Sequence, residues 1–352
     1  MNYGELISGL LVIALLMASG ALWLVAIPRV RNGQTLLPYE PRRSVPWGAL
    51  ELFPFFLLVM MLVVSILTTI VMALTGGSET PLPNQSPESQ ATIAFVVALI
   101  EIGFVFAWLY VVVLKNSATW QDIGIDISRL SADLRLGVRA FILLAGPVFL
   151  IQFLLTLVWP SQHPIIEFVL KNPSVKFFAV STLSAVIVAP IAEEFVFRVL
   201  FQGWLEKFQS SAATSESLLV GRLPTSIRGG LDKSIQREDS IVEHDTDEFA
   251  QRVNDDNPYS SPQTITKSTE ETALDPAEEI KPQAWPIFVS ASVFALMHLG
   301  HGPDPVPLFV LAAGLGYIYQ QTHRIIPCIV VHFLLNSFSM TLLIMQAYFG
   351  AK

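Results

Sequence analysis

The chain has 352 residues, 52% of them hydrophobic and only 14% charged, with a mean hydropathy of +0.55; these values exclude an ordinary soluble globular protein and imply several membrane passes. The formal net charge of −8 is local, because residues 207–283 hold 15 Asp and Glu against 8 Lys and Arg, leaving 14 against 13 elsewhere. No basic stripe with interleaved aromatics is present, which argues against nucleic acid as a partner, and a single cysteine, Cys328, excludes an intrachain disulfide framework and a cysteine-rich metal site.

The first apolar run, about Glu5 to Ile27, is near the ~20 residues that cross a hydrocarbon core. No Lys or Arg precedes Arg29, so the positive start of a cleavable signal peptide is missing and the run reads as a retained span. Arg29, Arg31, Arg42 and Arg43 follow it, which by the positive-inside rule puts that loop in the cytoplasm and the N-terminus outside. Span two covers about 49–74, followed by an outer loop without basic residues, and span three covers 91–114 with Glu101 at its centre. Lys115, Arg129, Arg135 and Arg139 then surround an amphipathic stretch with Trp120 and Ile123-Gly124-Ile125, read as lying at the cytoplasmic interface. Span four is Val138 to Trp159 and span five Phe177 to about Leu205, joined on the outside.

Residues 207–283 are rich in Ser, Thr, Asp, Glu, Gln and Pro and lack sustained apolar periodicity. Such a composition does not bury enough surface to offset ordering entropy, so the segment is read as a disordered acidic cytoplasmic insert. Spans six (284–299), seven (305–321) and eight (325–349) complete the chain, with His323-Arg324 as a tight turn. The expected fold is therefore all-α: a multi-pass transmembrane helix bundle of about eight spans with a conical or cavity-containing catalytic core and both termini outside. Three regions follow: 1–114 with three spans, a core of 115–206 and 284–349, and the insert 207–283.

Charge inside the apolar runs is where function is expected, because each buried charge costs several kcal/mol, roughly 2.5 to 3.5 on insertion scales. Span five carries Glu193, Glu194 and Arg198 within six residues. Glu194 and Arg198 are at i,i+4 and share a face, which pairs them and leaves Glu193 as the free carboxylate, with Pro190 loosening the backbone just before it. An unpaired carboxylate in a low-dielectric site is a candidate general base; the structural alternative is a buried ion-pair network that only holds helices together. Span six carries Phe294 and His298 one turn apart, the phenyl ring placed to fix the imidazole, and span eight carries His332 and Asn336 at i,i+4, both able to donate towards one point. His301, in a Gly-His-Gly-Pro end, is the weaker histidine. Glu193 and His298 both lie roughly 20 Å from the cytoplasmic ends of their spans, and His332 and Asn336 about 10 and 16 Å, so the groups fall at compatible depths.

Glu-Glu-x-x-x-Arg, Phe-x-x-x-His and His-x-x-x-Asn in this order on successive membrane helices resemble the CPBP family of intramembrane proteases, the CAAX proteases and bacteriocin-processing proteins also called Abi. The resemblance covers roughly Trp120 to the C-terminus; the long insert and the first three spans depart from the motif-bearing core. It implies an intramembrane endopeptidase in which Glu193 activates water with help from His298, Glu194 and Arg198 support the site, Phe294 packs beside it, and His332 and Asn336 bind the oxyanion. The implied partners are the lipid bilayer and a membrane-anchored or lipidated protein or peptide substrate, with the cell membrane as the expected location. Zinc held by Glu193, His298 and His332 matches the ligand count of an open catalytic site, whereas a metal-independent glutamate mechanism uses every residue once and is preferred. The competing function is a non-catalytic membrane scaffold or immunity-type protein of the same fold.

Overall fold

The computed structural model describes residues 3–41, 44–61, 87–159, 175–209, 213–221, 282–299 and 302–349. The second half of span two, the connection before span five, most of the insert, His301 and the extreme termini lie outside these residues. Within them the chain is helical, with no strand. Each of the eight apolar runs has a helical counterpart: α1 (Tyr3–Arg31), α2 (Ala49–Met61), α3 (Pro87–Asn116), α4 (Leu130–Thr156), α5 (Val175–Lys207), α7 (Trp285–Leu296), α8 (Pro305–Thr322) and α9 (Ile325–Phe349), with a short α6 (Ser215–Leu219) between α5 and α7. Five of these, α1, α3, α4, α5 and α9, are long and apolar enough to cross a membrane, so the protein is a multi-pass membrane bundle. Helix α7 has only 12 residues, and α8 buries Leu311, Ala312, Leu315 and Tyr319 completely, so its outer contacts are with protein, as expected of a short span.

Helix α4 is the pillar of the bundle and packs on α1, α8 and α9. Small residues make these close approaches: Gly137 faces Val330 of α9, Gly314 of α8 faces Leu144, and Gly146 abuts Ser19 of α1. Ser19 Oγ and Trp23 Nε1 both donate to the Leu143 carbonyl, at 3.1 and 2.9 Å, and so spend their polar groups inside the apolar seam. Helix α4 starts eight residues before the expected span. Asp126 accepts from the Ser128 N–H at 3.0 Å and starts a 3-10 turn that runs into the helix.

The interfacial stretch is pinned rather than merely surface-bound. Gly124 has φ +88°, and a Cβ there would meet the His323 carbonyl oxygen at 2.7 Å, so only glycine fits. Its own carbonyl accepts from the Ile325 N–H at 3.0 Å, tying this loop to the turn between α8 and α9. Arg324 in that turn reaches Asp133 of α4 at 2.6 Å and Glu40 at 2.9 Å, and Glu40 also holds Arg129 at 2.9 Å. One end of the bundle is thus closed by ions.

The start of the insert is structured where a solvated loop was expected. Lys207 is buried and donates to the carbonyls of Trp47 and Ser217 at 3.0 and 2.6 Å. Thr214 caps α6 by accepting from Ser217 N at 3.1 Å, and Trp204 Nε1 donates to Leu218 O at 2.9 Å. A capping pair and three consecutive apolar residues, Leu218 to Val220, are enough to fold one turn onto a tryptophan. The remainder, 222–281, lies outside the described residues.

Candidate active site

Helix α5 is not a regular α-helix. Two π segments, Ser184–Val188 and Phe195–Gln202, flank the α turn Ala189–Glu194 that carries the two glutamates. Pro190 has no N–H for the Val186 carbonyl, and its ring would collide with that carbonyl in a straight helix, so the wider turn just before it relieves both problems. The second π segment then sets Arg198 and everything beyond it. Its eight residues are all buried.

Glu194 and Arg198 are fully buried and paired as the i,i+4 spacing predicts, Arg198 Nε standing 3.1 Å from Glu194 Oε2. The guanidinium is held further by Ser290 of α7, whose Oγ accepts from Nη1 at 3.2 Å and donates to the Phe197 carbonyl at 3.2 Å. Arg198 also lies over the Phe294 ring, 5.6 Å from its centroid, a placement that favours a cation. The second carboxylate oxygen of Glu194 meets His332 Nδ1 of α9 at 2.9 Å. Ser290 was not singled out in the sequence, and its one signal is a hydroxyl one turn before Phe294 in an apolar helix that also carries Ser292.

Glu193 differs from its neighbour. Its side chain is 26% exposed against 0% for Glu194, and its Oε2 stands 3.7 Å from His332 Nε2. That gap is too long for a direct hydrogen bond and suits a water touching both groups. His332, itself buried, is therefore gripped at one nitrogen by the structural carboxylate and faces the open carboxylate with the other. His332, the residue expected to bind the oxyanion, thus stands beside both glutamates, a contact that helix periodicity could not reveal.

Phe294 lies between the two imidazoles, its ring centroid 5.1 Å from that of His298 and 6.2 Å from that of His332. The packing of Phe294 beside His298 is as expected. His298 Nδ1 is 2.9 Å from the Phe294 carbonyl; a carbonyl only accepts, so Nδ1 carries the hydrogen of that bond. Asn336 donates from Nδ2 to the carbonyl of Ala185, inside the first π segment, at 2.8 Å. One of its two N–H groups thus holds α9 to α5, which leaves the other for the expected oxyanion contact.

Among the described residues, no three of His, Cys, Asp and Glu come together in a way that would hold a metal ion. Glu193, His298 and His332 do not form a ligand set in this arrangement, and no step is derived through a metal. Helix α3 packs on the turn 189–194, which brings Glu101 within electrostatic range of Glu193.

Residues 272–338 match the family described as type II CAAX prenyl endopeptidase, Rce1-like. The matched stretch holds Phe294, His298, His332 and Asn336, and it agrees with the family that the three motifs resemble. No curated protein and no solved structure matches the chain.

Proposed function

We propose that the protein is an intramembrane endopeptidase that hydrolyses a peptide bond of a membrane-associated substrate, in CAAX-type C-terminal processing or leader-peptide processing, with a water activated by Glu193. One observation carries this reading: of two adjacent glutamates, the one without an arginine is the partly exposed one, and it shares the same imidazole with its buried, paired neighbour. A packing network has no use for the exposed member. The Rce1-like match supports CAAX-protease-type chemistry in general.

In the proposed reaction a water sits against Glu193 Oε2 and His332 Nε2. Glu193 takes its proton as the oxygen attacks the carbonyl carbon of the scissile bond, and the same proton passes to the leaving nitrogen as the C–N bond breaks. Glu194 and Arg198 keep His332 in place, His298 helps Glu193 to activate the water, and the remaining Asn336 N–H serves the oxyanion. The catalytic unit comprises 115–206 and 284–349, carried beside the three-span region 1–114, with the insert 207–283 on the cytoplasmic side, both termini outside, and the cell membrane as its place.

Glu193→Gln keeps shape and hydrogen bonding but removes the base, so cleavage is expected to fall at least about 100-fold with the melting temperature unchanged. The readout is a comparison of new protein termini in membranes carrying wild-type or Glu193→Gln protein. Identical termini in both, with both folded, would leave the scaffold reading standing and remove this one. Metal dependence is tested separately: cleavage is expected to survive chelation, and stoichiometric zinc whose removal abolishes activity would overturn the glutamate-only mechanism.

A further inference from the structure

A row of buried polar side chains runs along one face of α5 beyond the site: Glu194, Arg198, Gln202 and Glu206, spaced four residues apart, with exposures of 0, 0, 0 and 6%. Gln202 Nε2 donates both to Glu206 Oε1 at 2.9 Å and to the Gly316 carbonyl at 2.8 Å. With both N–H groups committed to acceptors, the amide orientation is fixed and its Oε1 is left as an acceptor. That oxygen is buried without a hydrogen-bond partner among the described residues, and so is Arg198 Nη2 one turn earlier. A buried donor and a buried acceptor left unpaired on neighbouring turns cost about 1–3 kcal/mol each. The two side chains lie one turn apart within the second π segment, and a water between them would give each its missing partner.

The row ends at the aqueous rim. Glu206 Oε2 lies 3.8 Å from His323 Nδ1, and a small cavity there is lined by Tyr39, Glu206, Lys207, Gln209, Gln320 and His323. At its other end, Arg198 and Glu194 meet His332 and the open carboxylate. A hydrolase inside apolar surroundings consumes one water per turnover, and on this side of the site the polar groups of Glu194 and Arg198 are fully buried.

We propose that Glu194, Arg198, Gln202 and Glu206 line a file of ordered water, with one molecule bound between Arg198 Nη2 and Gln202 Oε1, that feeds the hydrolytic site from the cavity beside His323. The ligand of this site is water, and the delivery role rests on the protease reading. Gly316 is part of the construction: a Cβ there would come within 2.9 Å of Gln202 Oε1, so a larger residue would displace the amide.

The test uses the full chain in lipid nanodiscs and two substitutions of Gln202. Leucine fills the space with methyl groups, whereas serine removes the same two hydrogen bonds but leaves room for another water. Cleavage is expected to drop at least tenfold in Gln202→Leu and by several-fold less in Gln202→Ser, where an added water restores part of the file. A purely structural role would make the two variants alike, and equal loss or equal retention overturns the proposal. The second readout needs no activity: hydroxyl radicals generated by a brief X-ray pulse label residues beside bound water. Phe294 and Tyr319, 1% and 0% exposed, are expected to label in wild type and at least threefold less in Gln202→Leu, relative to exposed Trp120. Absence of labelling in wild type overturns the water file, whereas a chain that labels but cleaves nothing loses the protease reading alone.

Discussion

At the scale of single residues, the two adjacent glutamates are expected to fail in different ways when changed. Glu194→Gln removes the carboxylate that pairs with Arg198 and leaves a fully buried guanidinium without that counter-charge, a loss of about 3–5 kcal/mol. Thermal or chemical unfolding should therefore expose Glu194→Gln as destabilised, while Glu193→Gln melts like wild type and is simply inactive. Equal stability losses for both would mean that Glu193 also belongs to the scaffold. Glu101 is expected to sit with Glu193 in this scheme: Glu101→Ala should change the cleavage rate and its pH profile without lowering stability, and an unchanged rate and profile would remove it from the site. The charged residues were legible in sequence because each charge in an apolar run demands a partner, and i,i+4 spacing named one correctly. Ser290 was not legible, since a serine in a helix satisfies itself cheaply and advertises nothing. The contact of His332 with both glutamates was equally hidden, because it depends on how α5 and α9 rotate against each other.

At the scale of elements, α5 carries the lesson. Its existence and length follow from an apolar run of the right size, and Pro190 announces a local disturbance. The form of that disturbance, two π segments around one α turn, has no sequence period of its own; Pro190 gives the first its cause, and the second packs against α7. Pro190→Ala tests the account. Alanine supplies the missing N–H for the Val186 carbonyl and removes the clash, so the first π turn loses its cause. Tightening it by one residue would turn Glu193 and Glu194 by about 100° relative to Val175–Leu183 and would pull Ala185 O away from Asn336. Cleavage is expected to fall at least tenfold while the melting temperature stays level or rises. Full activity in Pro190→Ala would show that tertiary packing alone holds the wide turns.

At the scale of the whole molecule, hydropathy was enough to place the spans, and it failed where protein replaces lipid as the surroundings. Helix α8 is a span by position, yet it is not among the five helices long and apolar enough to cross a membrane, and α4, α7 and α9 pack on it. The acidic insert was read from composition as an excursion from the bundle, and the geometry of its neck permits a direct test. Gln209 Nε2 donates to the Gln283 carbonyl at 3.3 Å, Gln283 N donates back to Gln209 Oε1 at 2.9 Å, and Gln320 Nε2 donates to the same Gln283 carbonyl at 2.8 Å. The chain therefore leaves and returns at one point, fixed by three hydrogen bonds that involve nothing between 222 and 281. Replacing 222–281 with a flexible linker of about eight residues shortens the loop closed by Gln209 and Gln283 by somewhat under two doublings, worth about 1 kcal/mol in closure entropy. The shortened protein is expected to fold, to melt no lower than the full chain, and to keep its cleavage rate within threefold. A shortened protein that folds but cleaves tenfold more slowly would assign the insert a part in substrate handling, and one that fails to fold would show that it packs on the body of the bundle.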